Sequence, residues 1–225
     1  MIKNRTTQLI YQTVYCTLGV VFAFASLGIF DNISMIRWDF YVHFTNISNF
    51  LCLDIMFTEL VQTIKRKADG YVSVAPALKF VAMLGILLTF LVFNLLLAGA
   101  ADRDPQANWR IGSLTAHVIL PIMFIADWVM FYEHKKCKVH YPLLSTLFPL
   151  GYVTFIFIQA TIMKFDTSIL IPGTKTPLIY PYFFVNLETQ GVAGVLRWVG
   201  ILLVAFVSAG YVFLGIDRAI GAKKK

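Results

Sequence analysis

Charge is scarce in this chain. Of its 225 residues only 14% are Asp, Glu, Lys or Arg, against about 25% in an ordinary soluble domain. Hydrophobic residues supply 58%, and the mean hydropathy is +0.73. That balance excludes a typical water-soluble globule and fits a chain that crosses a membrane repeatedly. Cysteine is scarce as well. Cys16, Cys52 and Cys137 are the three present, too few for a disulfide framework. The first two stand in apolar runs and the third in a basic stretch, so each is expected as a free thiol. No Cys/His spacing has the form of a zinc site, so no metal and no cofactor is expected. Internal repeats, low-complexity tracts and long linkers are missing. Residues 1–225 therefore read as a single domain.

What the chain does have is long apolar runs. Runs of roughly 20 residues mark membrane-spanning helices. They predict an all-α polytopic protein with six helices at about 9–30, 41–63, 77–98, 112–132, 143–163 and 192–214. Lys3 and Arg5 before the first run resemble the start of a signal peptide. The apolar stretch is too long for one and no clear cleavage site follows, so it reads as a retained helix.

The net charge is +7, but the basic residues sit in short clusters between apolar runs. This is the pattern of a cytoplasmic membrane face rather than of nucleic-acid binding. One side would collect Lys3, Arg5, Lys65, Arg66, Lys67, Lys79, Lys135, Lys136, Lys138, Arg218 and Lys223 to Lys225. The other would collect Arg37, Arg103, Arg110, Lys164, Lys175 and Arg197. The asymmetry places both termini in the cytoplasm. The longest connection, 164–191, then lies outside. It carries Pro172, Gly173, Pro177 and Pro181, which make it irregular, and loops of that length often serve as lids.

Polar residues at membrane depth are costly and usually face a protein interior or a wet cavity. The second run opens with an unusual load of them: Thr45, Asn46, Ser48 and Asn49. Thr45 lies about 6 Å into its helix at 1.5 Å per residue, and His117 about 7 Å into the fourth from the same side. Each has a bland reading. Threonine in a membrane helix commonly bonds back to a carbonyl one turn earlier, and a lone histidine commonly packs and donates to a neighbouring carbonyl. Each also has a chemical one, with Thr45 a nucleophile and His117 its base. Pro121 follows His117 at i+4 and has no N–H for its carbonyl, so the helix is expected to distort there. Asn49 and Ser48 share a face with Thr45. Asn49 is expected either to donate to an oxyanion or to join helices.

A second polar level holds Asp54 and Asp127, with Trp128 beside the latter and Glu59 deeper. Asp54 lies about 14 Å from Thr45 along the helix axis. The same holds for Asp127 relative to His117, so neither acid completes a Ser-His-Asp-type triad. These acids read either as interhelical hydrogen-bonding groups, with Trp128 or Tyr152 as partners, or as a proton path. The aromatic segment Tyr180, Tyr182, Phe183, Phe184, with Asn186 after it, reads as an interfacial belt or as a cover that lends a hydroxyl or Asn186 to the site.

Taken together, Phe44-Thr-Asn-Ile-Ser-Asn49, His117-Val-Ile-Leu-Pro121 with Asp127-Trp128, and Tyr180-Pro-Tyr-Phe183 with Asn186 and Gly191 resemble one family. It is the six-helix family of the androgen-induced proteins and their bacterial relatives, and the resemblance runs helix for helix. Members are integral-membrane threonine hydrolases, and the animal ones cleave fatty acid esters of hydroxy fatty acids. The local text Thr-Asn-Ile-Ser-Asn looks like the bacterial branch. The resemblance implies that Thr45 is the nucleophile and His117 the base, acting on a lipid ester delivered from the bilayer of a bacterial inner membrane. Asn49, Asn46, Ser48, Tyr180, Tyr182 and Asn186 are then candidates to orient groups or donate to the oxyanion. Acyl chains would lie among residues such as Phe90, Phe93, Phe124 and Phe155. Water would enter from the outer side.

Other classes compete. A proton-coupled transporter would use Asp54, Asp127 and Glu59, though no repeat or broken helix pair supports it. A haem carrier would need paired axial histidines, and His117 alone is clearly intramembrane. A non-catalytic regulatory membrane protein is the third.

Overall fold

The structure is a computed structural model that describes residues 2–29, 38–71, 74–100, 103–163, 168, 170–171, 175 and 177–222. Arg37, Lys164, Pro172, Gly173 and Lys223 to Lys225, used above for charge and loop character, lie outside the described residues.

Six helices are long and apolar enough to cross a membrane: α1 Arg5–Ser26, α2 Phe44–Lys65, α3 Pro76–Leu97, α4 Ile111–Phe131, α5 Tyr141–Ile162 and α6 Leu187–Ala222. Among the described residues there is no strand, only an isolated bridge between Leu170 and Pro177. Several helix ends differ from the expected ones for local reasons. α1 starts four residues earlier because Asn4 caps it, its side chain accepting from the Thr7 amide at 2.9 Å. The polar Gln8 and Gln12 then fall on its buried face. α2 starts later, at Phe44, because Trp38–Val42 forms a 3₁₀ turn. α6 gains a turn at its front and continues past Leu214 to Ala222. Asn186 caps that front turn by accepting from the amides of Glu188 and Thr189. Gly191 then breaks the helix with φ 63° and ψ 172°, a conformation nearly confined to glycine.

α3 is the hub, packing against α2, α4, α5 and α6, while α1 closes the far side against α2 and α4. The main core gathers Tyr15, Cys52, Met56, Phe80, Phe124 and Trp128. A second apolar cluster joins Phe44, Tyr152 and Ile156 to Leu178, Tyr182, Phe184 and Val185. The aromatic segment before α6 is thus pulled inward, with the Tyr182 and Phe184 rings stacked at 5.2 Å.

Two charged clusters tie the bundle at the end opposite Thr45. Lys79, 1% exposed, places its ammonium 2.6 Å from Glu59 and 2.5 Å from Asp127. It joins α2, α3 and α4 and is no surface charge, which corrects its place in the basic count above. Asp217 on α6 receives His134 at 3.0 Å and the amides of Lys135 and Cys137. It thereby docks the α4–α5 connection on α6.

Candidate active site

Thr45 lies in the first turn of α2, and His117 in the first turns of α4. Antiparallel packing brings these starts together with the end of α3 and the segment before α6. Here Thr45 Oγ1 is 3.4 Å from His117 Nε2. The Nδ1–H of His117 donates to the Ser113 carbonyl at 2.9 Å. That bond leaves the Nε2 lone pair directed at the threonine hydroxyl.

The backbone around His117 is unusual for a reason the sequence contains. Pro121 supplies no N–H for the His117 carbonyl, and its ring would crowd that oxygen. The helix widens into a π turn over Thr115–Ile119, and the Leu120 amide bonds to the Thr115 carbonyl. A second π turn spans Phe93–Leu97 on α3. The two turns meet. Asn94 donates to the His117 carbonyl at 3.3 Å, and the Phe93 ring stacks on the imidazole at 3.5 Å and 10°. Phe93 in turn lies 4.9 Å from the Arg103 guanidinium, which donates to Asn108. Asn108 is anchored to the Ala98 carbonyl at 2.8 Å. π turns inside α-helices recur at functional sites. Here they fix the plane of the imidazole.

The expected neighbours of Thr45 divide sharply. Asn49 is committed elsewhere: its Nδ2 donates to the carbonyls of Thr45 at 2.8 Å and Ala116 at 3.0 Å. It therefore joins α2 to the π turn and has no donor left for an oxyanion. Its Oδ1 is buried without a partner. Ser48 is fully buried, shares a 2.7 Å hydrogen bond with Thr89 and faces α3, away from the imidazole. Asn46 lines the cavity before His117, but its amide donates to the Phe40 carbonyl at 2.6 Å. Asn186 is a helix cap and lines neither cavity at Thr45. Tyr180 is half-buried and lines neither cavity at Thr45.

Tyr182 is the aromatic residue that reaches Thr45. Burial raises its phenol above the usual tyrosine value. Opposing contacts come from the Thr45 side chain, the Thr45 and Phe44 backbone amides and Tyr152. These amides belong to the start of α2, where helix N–H groups lack carbonyl partners. The Tyr182 phenol and the start of α2 thus lie together at Thr45, which shares both cavity walls with Tyr182.

The second polar level also needs correction. Asp54 is exposed on the outer face of α2, not buried, because it falls half a turn from the Cys52–Met56–Glu59 stripe. Asp127 is fully buried but is held by Lys79. Trp128 packs on Tyr132 at 5.5 Å, its indole nitrogen buried without a hydrogen-bond partner. Tyr152 donates to the Val42 carbonyl at 2.8 Å and reaches neither acid.

Two cavities meet at Thr45. A chamber of about 410 Å³, more polar than its neighbour though still walled largely by apolar side chains, is bounded by His117, Ser113, Asn46, His43, Arg103 and Asp39, among others. A narrower pocket of about 70 Å³ runs the other way, between α3, α5 and α6. Thr45, Phe93, Leu97 and Tyr182 belong to both walls. Phe90, Phe124 and Phe155, expected among acyl-chain contacts, line neither. Phe124 packs on Tyr15 and Phe155 on Tyr41.

Sequence reasoning missed Ser113 and Asn94, and it read Phe93 as an acyl-chain contact and Arg103 as an outer charge, whereas both belong to the stack on the imidazole. Ser113 was within reach, since it precedes His117 by one helical turn. Asn94 comes from α3, and nothing in its local sequence marks it. Among the described residues no group of three or more His, Cys, Asp or Glu is placed to hold a metal ion. No protein-family model, curated protein or solved structure matches the chain.

Proposed function

We propose that this protein is an integral-membrane hydrolase that cleaves carboxylic esters of lipids through an acyl-threonine intermediate on Thr45. The observation that carries the reading is a hydroxyl 3.4 Å from the one imidazole nitrogen left free to take its proton. A hydroxyl is a weak nucleophile until a base removes its proton. Catalytic hydrogen bonds are often long before substrate binds and tighten afterwards.

The Thr45 oxygen attacks the ester carbonyl while Nε2 of His117 takes its proton. The tetrahedral oxyanion is met by the Tyr182 phenol and the amides at the start of α2. The ester C–O bond breaks and Nε2 returns the proton to the departing alkoxide. Water then enters the polar chamber and attacks the acyl carbon as it gives its proton to the same nitrogen; Nε2 passes that proton to the departing Thr45 oxygen, and the carboxylic acid is released. The Ser113 carbonyl holds the place on Nδ1 that a carboxylate fills in a Ser-His-Asp triad. That carbonyl and the Phe93 ring orient the imidazole.

The substrate class this reading favours is a fatty acid ester, such as an ester of a hydroxy fatty acid. The Lys/Arg asymmetry supports cytoplasmic termini in a bacterial inner membrane, with the site in the outer leaflet. The transporter reading loses its chain of acids, since Asp54 faces outward while Glu59 and Asp127 grip one lysine.

The test is hydrolysis of a fatty acid ester by the purified chain in nanodiscs, against Thr45→Ala and His117→Ala. Each variant should lose hydrolysis while keeping the wild-type gel-filtration profile. Undiminished turnover by Thr45→Ala would sink the reading.

A further inference from the structure

We propose that the substrate's acyl chain lies in the groove between α3 and α6, reached sideways from the bilayer, and that its alcohol half occupies the polar chamber. This rests on the reading of Thr45 as nucleophile and adds which half of the ester goes where.

The chemistry sets the direction. The proton taken from Thr45 must be delivered to the departing oxygen, so that oxygen has to face His117. The deacylating water needs the same nitrogen. His117 borders the polar chamber and not the pocket on the far side of Thr45. The alcohol and the water therefore belong to the chamber. The acyl carbon stays on Oγ1, and its chain must extend the other way.

The far pocket offers such a path. Leu88, Val92, Leu202 and Phe206 line it, and the same four line a further groove of about 220 Å³. That groove continues between α3 and α6 as far as Leu84 and Ala209. The lining residues of α3 run from Leu97 at Thr45 to Leu84 at the far end, about 20 Å at 1.5 Å per residue. This matches a long fatty acyl chain. The hydroxyls of the inner pocket gather at its catalytic end and in Thr89, whereas the groove beyond is walled by aliphatic side chains, Phe206 and Trp198. Leu95 and Ile201 on its rim are 74% and 49% exposed, on helices long enough to span a membrane. Their neighbour in a bilayer is lipid hydrocarbon, the material the groove would admit. Ala205 and Ala209 make the room: both line the groove, and neither is buried.

The occupant can be tested with p-nitrophenyl acetate, butyrate, octanoate and palmitate, which share an alcohol and differ in acyl length. The quantity read is kcat/KM for each long ester divided by that for acetate, so a partial loss of folded protein cancels. A pocket contact to one methylene changes discrimination by roughly ten-fold or more. In Leu202→Trp, near Thr45, the octanoate and palmitate ratios should both fall by at least that factor. In Ala209→Phe, at the far end, the palmitate ratio should fall while the octanoate ratio holds. Ala205→Phe should lie between them. Ratios unmoved in all three variants, with hydrolysis still dependent on Thr45, would overturn the groove assignment alone. A wild type inactive on every ester, or matched by Thr45→Ala, would overturn the nucleophile reading and this proposal together.

Discussion

The Nδ1–H of His117 donates to the carbonyl of Ser113, 2.9 Å away and one turn back on α4. The Ser113 hydroxyl is farther, at 3.3 Å, so it is the backbone that fixes the tautomer. Ser113→Ala should therefore hydrolyse esters within a few-fold of wild type. His117→Gln retains hydrogen-bonding atoms but cannot carry the proton. Its kcat should fall by about a hundred- to ten-thousand-fold, the usual worth of a general base. Steady-state kinetics on the two variants separates backbone orientation from a role for the hydroxyl.

Tyr182 is the strongest side-chain candidate to meet the oxyanion. Burial is the main cause of its raised pKa, with Thr45, Tyr152 and the Phe44 amide acting in the opposite sense. A raised value favours the neutral phenol, so the group remains a donor as pH climbs through and beyond its ordinary value. Tyr182→Phe should lower kcat by roughly a hundred-fold or more, the cost of losing one such donor. The wild-type pH–rate profile should show no alkaline limb from this phenol below its ordinary value of about 10.

The Lys79 ammonium bonds to both Glu59 and Asp127 inside the bundle, and its single charge offsets one of the two carboxylates. Removing one partner of a buried pair leaves an uncompensated charge and costs about 3–5 kcal/mol. Lys79→Met should lower the unfolding temperature sharply in detergent. The triple change Lys79→Met, Glu59→Gln, Asp127→Asn should recover much of that loss, because no charge then remains. A purely geometric role for Lys79 predicts no recovery.

Burial, reinforced by the Asp217 carboxylate, pushes the Cys137 thiol up to about 12. A raised value keeps the thiol protonated at neutral pH, and maleimides react with the thiolate. Folded protein should be labelled slowly at Cys137 at pH 8, and detergent-unfolded protein quickly. Asp217→Asn should speed labelling of the folded form.

The six apolar runs were legible because helix length and bilayer thickness are the same physical constraint. So was the shared level of Thr45 and His117, which follows from antiparallel helices and a fixed rise per residue. The distortion at His117 was also legible, since Pro121 removes a donor wherever it sits. What surrounds the pair was not. Asn49 shares a face with Thr45, yet its amide goes to two carbonyls, and only three-dimensional packing decides that. Asp54 reads as a costly buried acid until the helix phase turns it outward. Lys79 reads as a surface cation because its two partners lie on other helices.

Active-site labelling tests the central claim most directly. Purified protein in nanodiscs is treated with a fluorophosphonate and digested, and the modified peptide is sequenced by mass spectrometry. The account predicts a phosphonylated Thr45, absent in Thr45→Ala and greatly reduced in His117→Gln. An adduct on another residue, or labelling that survives Thr45→Ala, would contradict it.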